Sequence, residues 1–570
     1  MFFLTLFIFR SLAFNITKNL PDWYDYPYIT WTIFQNVDHV RNLQFDGFFD
    51  ANASYPFKGT LLFSDLLLPQ SLIVILISYF TANPVLSFNI LFFILLALNI
   101  IASLYFWKSI LSDHKIIFFA SLLTIFSPYF FLNSNHFQMI SIWPYLFGIG
   151  FLLRKGLTIK SAVIVALLTT MEFLSSVYLS VFMLFTISIW VILTLYSRRE
   201  ELVHYSGIQK KIIISTLKWM GIFCLTFIIL SGPFILKYMQ VKKSYGISRD
   251  YGEYVLYSAH LTDYLFTTHY HSFISTLSPI VKWNSFNMHR LGEAGGFPGI
   301  VLLLLSVIGL LIYSRNSSSL NLKLPLSFNH IFFLILTFCG FIFSLGPRLN
   351  VNGTYLAIPL PYEIILRYNP LVEPIRATAR WSFIFYFGLV YFACIGLQKI
   401  NKRTKSNLVM SLLSIVFLLE IVPTNKISES KNYYPEVYKT IEKGCLSKSA
   451  LLEYPMSQFT KDVNIITNLT YRTQILLASV NHKCKVVNGY SGYIPTQYQD
   501  YEGRLQKAVE NNDKLEFLKL LDSKEVSFIK LNKKSLFEDR VKVIEKWFST
   551  YEKVQILYKN NEFLVVKIQK

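Results

Sequence analysis

The chain has 570 residues, of which 53% are hydrophobic, 17% aromatic and 15% charged, with a formal net charge of +20 and a mean hydropathy of +0.42. That is too apolar and too thinly charged for an ordinary soluble protein, and apolar runs of about 16 to 22 residues recur from Leu86 to Val422, long enough to cross a bilayer core of roughly 30 Å. Nucleic acid is excluded as the reason for the positive charge, because Lys and Arg of a polytopic membrane protein collect in cytoplasmic loops and at lipid headgroups.

Met1 to Phe14 reads as a first membrane helix, since no small-residue cleavage site follows it. The next stretch, Pro21 to Asp65, is the chemically dense one: Asp22, Asp25, Asp38, Asp46, Asp50 and Asp65 fall among aromatic residues. Asp25, in Tyr24-Asp-Tyr-Pro-Tyr28, leaves two roles open. It suits a general base or metal ligand tuned by burial, and it equally suits a helix N-cap ahead of Pro27. Asp46, Asp50 and Asp65 suit turns and caps as well as ligand contacts. These acids leave a divalent cation open, but the sequence requires no cofactor.

Leu66 to Phe80 contains Pro69 and Gln70 and is short for a span, so it reads as a juxtamembrane or re-entrant segment. Helices are expected near 86–107, 116–133, 138–153, 158–177, 180–196, 212–236, 298–314, 330–346, 380–398 and 407–423. With the N-terminal helix this gives about eleven crossings. The short basic loops Lys108–Lys115, Arg154-Lys155, Arg198–Lys211 and Lys399–Lys405 belong inside. The outer face then receives residues 15–65, the turn Asn133–His136, the loops 237–298 and 347–380, and the tail.

Within this frame, His136 and Gln138 stand at the outer end of a hairpin, placed either to bond a sugar or phosphate or to sit at headgroup level. Glu172 lies in an apolar run, where an acid is expected to face protein or a water-filled cavity. Arg376 and Arg380, four apart at an outer helix start, fall on one helical face near the end whose dipole favours anions. Guanidinium groups suit phosphate oxygens, so a lipid phosphate competes there with plain headgroup anchoring. His269, His271 and His289 show no metal-ligand spacing with a carboxylate.

From about Thr424 the apolar runs shrink to strand length, at 450–454, 485–488, 526–530, 554–558 and 563–568. Helix-like stretches at 498–521 and 538–549 lie between them. The tail is therefore read as a small α/β domain. It has no Gly-rich phosphate loop and no nucleophile elbow. Cys224, Cys339 and Cys394 lie in apolar runs, no CxxC pair exists, and in an extracytoplasmic tail Cys445 and Cys484 can pair.

The ordered set Asp25-Tyr-Pro-Tyr-Ile-Thr-Trp31, Phe49-Asp-Ala-Asn-Ala-Ser-Tyr-Pro56, Leu62-Phe-Ser-Asp65, Asn135-His-Phe-Gln138, Glu293 with Phe297-Pro-Gly299, Ser344-Leu-Gly-Pro-Arg-Leu349, Ile375-Arg-Ala-Thr-Ala-Arg380, Glu453-Tyr-Pro455 and Asn488-Gly-Tyr-Ser-Gly492 resembles the GT-C membrane glycosyltransferases. It is similar to the bacterial YfhO-like and RgtA/B/C/D-like groups, departing at Asp65, where a Glu is expected. The resemblance implies a GT-C-like transmembrane domain over residues 1–423, with a first outer loop at 15–65, and a soluble extracytoplasmic α/β domain at 424–570. It implies transfer of a sugar from a polyprenyl-phosphate donor to a glycan, lipid or protein acceptor of the cell envelope, with Asp25 as the acidic residue of the first loop. Asp50, Asp65, His136, Gln138, Glu172, Arg376, Arg380 and Tyr490 are then substrate-binding candidates. Tyr490 lies in a Gly/Tyr stretch suited to sugar stacking. The rival class is a non-catalytic transporter or scaffold for envelope lipid or polysaccharide. It predicts that Asp25, Arg376 and Arg380 are dispensable.

Overall fold

The computed structural model describes residues 1–133, 136–197, 206–265, 296–318, 328–351, 354–368, 373–404, 407–421, 431–442, 444–445, 449–458 and 464–569. His269, His271, His289 and Glu293 lie outside them. Among the described residues, Pro84–Lys108, Phe137–Lys155, Val177–Ser197, Ile213–Tyr245 and Thr378–Ile400 are long and apolar enough to cross a membrane. Shorter apolar helices include Leu68–Ile77, His114–Phe130, Ile300–Leu311, Phe328–Ser344 and Ser411–Ile421. The chain is a polytopic helical membrane protein with a C-terminal α/β region.

Several boundaries differ from the hydropathy reading, each for a local reason. The helix expected at 116–133 ends at Phe126 and resumes at Pro128–Leu132, because a proline lacks the N–H and disfavours helix in the residue before it. The helix expected to stop at 236 runs from Ser206 to Tyr245. Lys, Gln and Met lower its hydropathy there but remain good helix formers, and Gly246, at φ +62°, ends it. Residues 498–521 form two helices, Thr496–Glu510 and Lys514–Ser523, with Asn512 in the left-handed region and Asp513 capping the second through Glu516 N–H. Helix Ile465–His482 and a hairpin, β1 (Arg348–Val351) with β2 (Thr354–Pro359), were not foreseen.

The chain forms two compact units. The first comprises Met1–Arg10, Phe93–Ile235 and Ser248–Ile427. Its central helix is Ser382–Thr404, which packs on Ile300–Ser318 and on Phe328–Ser344. A Cβ at Gly309 would stand 1.9 Å from the Phe392 carbonyl oxygen, and one at Gly340 would stand 2.2 Å from Phe385 N. The helix backbones touch at these crossings, the close approach that small residues permit between membrane helices.

The second unit comprises Ser11–Phe92, Leu236–Ile247 and Ser428–Lys570. Its sheet contains β3 (Ala450–Tyr454), β4 (Lys485–Val486), β5 (Val526–Asn532), β6 (Val554–Lys559) and β7 (Phe563–Ile568), in the order β4-β3-β5-β7-β6. β3 runs parallel to both β4 and β5, while β7 is antiparallel to β5 and β6. Alternate residues feed two cores, as a pleated strand requires. Leu452, Tyr454, Leu564 and Val566 meet the helices Thr496–Glu510, Lys514–Ser523 and Glu538–Ser549 on one face. Leu451, Phe528 and Val565 meet helices Val437–Glu442 and Ile465–His482 on the other.

The acidic first loop is part of this unit. Its segment 52–55 lies along β4 as an added strand-like edge. Val486 N–H donates to Asn52 O (2.6 Å), Tyr55 N–H to Val486 O (3.0 Å) and Ser54 N–H to Asn488 O (2.9 Å). Helix Tyr26–Arg41 packs on helix Ile465–His482, where Trp31 Nε1 donates to Asn52 Oδ1 at 2.9 Å. Cys445 and Cys484 are joined by a disulfide.

Candidate functional site

The second unit holds the acidic residues of the first loop, and the structure separates their roles. Asp25 occupies the N-cap position of helix Tyr26–Arg41, yet its side chain makes no capping hydrogen bond. Asp22 does that work. Its Oδ1 accepts from the backbone N–H groups of Tyr24 (2.9 Å), Asp25 (2.9 Å) and Tyr26 (3.3 Å), satisfying donors that a helix start leaves open. Asp25 itself is half-buried. Burial pushes the Asp22 carboxyl up to about 8, and the neighbouring Asp25 charge adds to this, against the lowering effect of the three N–H donors. Asp22 was missed as a functional residue; its signal is an Asp three residues before a second Asp at a helix start, the pattern of an Asx turn.

One turn along the helix, Tyr28 leads to the other candidates. Its hydroxyl lies 3.1 Å from Ser491 Oγ, and its ring meets Tyr490 edge-on, with centroids 5.5 Å apart. Burial raises the Tyr28 phenol above the usual tyrosine range and the Asp65 carboxylate adds to the effect, while hydrogen bonds to Ser491 and Ser64 oppose it. Tyr28 therefore stays neutral. Tyr238 donates to the Ser64 carbonyl at 2.9 Å. The structure thus brings Asp65 and Tyr490 together around Tyr28. Asp50 is engaged elsewhere: its carboxylate accepts from Gly59 N–H at 2.7 Å and pairs with Lys58 at 2.9 Å, closing its own loop.

The remaining candidates belong to the first unit. His136 precedes the short helix Phe137–Ile140, and both His136 and Gln138 are half-buried. Glu172 is fully buried and accepts from Tyr145 N–H at 2.9 Å, capping helix Trp143–Lys155 from a neighbouring helix. Glu420, which sequence reasoning passed over, does the same for helix Ile300–Ser318 through Ile300 and Val301 N–H. Each of these acids is thus spent on the backbone of a neighbouring helix.

The arginine pair needs a correction. Arg376 and Arg380 do not share an α-helical face, because the helix opens as a 3-10 turn at Thr378–Trp381 and becomes α only at Ser382. Tyr178 and Tyr257 take backbone donors there, through Ala377 N–H to the Tyr178 hydroxyl (3.1 Å) and Ala379 N–H to Tyr257 O (3.0 Å). The same tyrosines receive the guanidinium groups. Arg380, 6% exposed, lies 4.6 Å from the Tyr178 ring centroid, and Arg376 lies 5.1 Å from that of Tyr257. Arg376 also stands 3.4 Å from Glu253.

Among the described residues, Cys445, His482 and Cys484 form the one close group of three metal-ligating side chains. Both cysteines are spent in the disulfide, so the group offers a single imidazole. Burial holds that imidazole down to about 3, with Lys530 contributing.

Residues 1–422 match the family described as a domain of unknown function (DUF6311), and the chain belongs to that family. No curated protein matches it in sequence. Among solved structures, the mycobacterial arabinofuranosyltransferase AftD is similar at TM-score 0.55 and 10% identity, over 100% of this chain and 41% of that one. The apo oligosaccharyltransferase of Archaeoglobus fulgidus gives TM-score 0.48 and 12% identity, over 93% of this chain and 69% of that one. The archaeal oligosaccharyltransferase AglB, solved with an inhibitory peptide and a dolichol-phosphate, gives 0.45 and 10% over the same shares. The chain has the GT-C membrane glycosyltransferase fold and spans less than half the length of AftD.

Proposed function

We propose that this member of the DUF6311 family is a membrane glycosyltransferase. It takes a sugar from a polyprenyl-phosphate donor and passes it to a cell-envelope acceptor on the outer face of the membrane. The observation that carries this reading is the placement of Asp25, half-buried at the start of helix Tyr26–Arg41, in the unit where Tyr28 gathers Asp65, Tyr490 and Ser491. Retention of the GT-C fold supports it, and so does a disulfide in the tail, since such bonds persist in oxidising compartments.

In this mechanism the acceptor hydroxyl oxygen attacks the anomeric carbon. A new glycosidic C–O bond forms, the C–O bond to the lipid phosphate breaks, and the polyprenyl phosphate leaves with the bonding electron pair. Asp25 takes the hydroxyl proton. Tyr490 offers an aromatic face, and Asp65 a carboxylate, to sugar hydroxyls. In the membrane unit, Arg376 and Arg380 are proposed to bind the lipid phosphate of the donor, and His136 and Gln138 to line a substrate path; Glu172, fully buried and capping helix Trp143–Lys155, is left out of that path. Residues 1–423 make up the membrane domain in this reading, and 424–570 the extracytoplasmic domain.

The test is transfer from a polyprenyl-phosphate sugar in proteoliposomes. Asp25→Asn should insert and fold normally while losing transfer by about 100-fold or more, the scale of a lost general base. Full activity of that variant removes Asp25 from the chemistry and leaves the scaffold reading in its place.

A further inference from the structure

The C-terminal sheet holds a second polar cluster that the transfer reaction does not use. Its parallel core has the order β4-β3-β5, so the chain leaves β3 toward one side for β4 and then returns to the other side of β3 for β5. Such a reversal leaves a crevice at the carboxyl ends of the central strands, where ligands of open α/β sheets bind. Here that position falls between residues 455–458, after β3, and residues 533–536, after β5.

Five polar side chains converge there. Arg472 comes from helix Ile465–His482 on one face of the sheet and Glu502 from helix Thr496–Glu510 on the other. They meet in a two-pronged pair, Nη2 lying 2.7 and 2.9 Å from the two carboxylate oxygens. Ser457, three residues past the end of β3, contacts both members. Gln458 Nε2 reaches 3.5 Å to Ser535 Oγ, three residues past the end of β5, and so bridges the crevice. Arg472 and Glu502 keep 16% and 15% of their side-chain surface exposed. Among the described residues, the buried Arg472 Nε has no hydrogen-bond partner.

The chemistry narrows the ligand class. The guanidinium charge is matched by a carboxylate, and the other groups are neutral hydroxyls and an amide, which argues against an anion. The cluster brings hydroxyl, amide, carboxylate and guanidinium groups together, an arrangement of mixed donors and acceptors that suits vicinal hydroxyl groups. We propose that the crevice beside Ser457, Gln458, Arg472, Glu502 and Ser535 is a binding site for neutral carbohydrate, separate from the loop that carries Asp25.

The experiment uses the full chain in detergent micelles, with methyl glycosides of common hexoses and pentoses as probes. Saturation-transfer NMR and calorimetry read binding, so the result stands whether or not the chain transfers sugar. The expected result is saturable binding of at least one glycoside, weakened about tenfold by Gln458→Ala and by Ser535→Ala, the scale of one lost hydrogen bond. Arg472→Ala should abolish binding. Because Arg472→Ala also breaks the ion pair, the first two variants decide the matter, at unchanged melting temperature. Absence of binding by every glycoside, wild-type affinity in both decisive variants, or displacement of the glycoside by inorganic phosphate would each overturn the proposal.

Discussion

Asp22 makes a pH prediction whose sign and size follow from its surroundings. The carboxyl is 9% exposed and rises from 3.8 to about 8, so between those values the folded chain holds a proton that the unfolded chain releases. Stability therefore falls as pH rises through that interval. Each pH unit is worth about 1.4 kcal/mol, which puts the upper limit near 6 kcal/mol across the full range, most of it gone by pH 8. Asp22→Asn keeps an oxygen for the three N–H donors and cannot ionise. Thermal melting of the detergent-solubilised protein at pH 5.5 and pH 9 is the assay. Wild type should lose several degrees more than the variant, and above pH 8 the variant should be the more stable of the two. Parallel losses in both proteins would show that Asp22 does not titrate in this range, and the account of its burial would fail.

Replacing Arg376 or Arg380 by Ala should raise the KM for a lipid-phosphate donor, with Lys restoring only part because it lacks the planar fork; unchanged kinetics in both would leave them as headgroup anchors. Reducing the Cys445–Cys484 bridge, whose ends are separated by 39 residues, should cost about 4 kcal/mol on a chain-entropy basis, visible as a lower melting temperature with dithiothreitol. Gly489→Ala would bring a Cβ to 1.7 Å from Ser54 Oγ, so limited proteolysis should cut within 49–56 faster than in wild type.

The membrane helices were legible because lipid imposes one rule, an apolar run of sufficient length, and the sequence obeys it from Leu86 onward. The tail strands were legible because short apolar runs stand between helix-like stretches. Helix Ile465–His482 escaped because Asn468, Arg472, Gln474 and Asn481 interrupt its apolar residues among β-branched ones, blurring the 3.6-residue period. The arginine spacing misled because it presumed a helical turn from Arg376 to Arg380, whereas neighbouring tyrosines satisfy that backbone and the α-helix begins at Ser382. Asp22 was hidden behind Asp25 because composition does not show which of two nearby acids binds the helix N–H groups. Only the turn geometry does.

The distant motifs of the second unit gain their meaning from one another. Asn488 grips β3 on both sides: its Oδ1 accepts from Glu453 N–H and its Nδ2 donates to Glu453 O, each at 2.8 Å. Its own carbonyl accepts from Ser54 in the first loop. Glu453 in turn pairs with Lys530 on β5 at 2.6 Å, with the two side chains 1% and 5% exposed. Breaking such a buried pair from one side is costly, because it strands an uncompensated charge. One asparagine thus ties the first loop to a fixed point of the sheet, and two residues later the same strand end presents Tyr490 and Ser491 to Tyr28. The position of the helix that starts at Asp25 is accordingly set by residues more than 400 positions away, which is why Glu453-Tyr-Pro, Asn488-Gly-Tyr-Ser-Gly and the acidic loop are each weak as sequence signals and definite as a packed group.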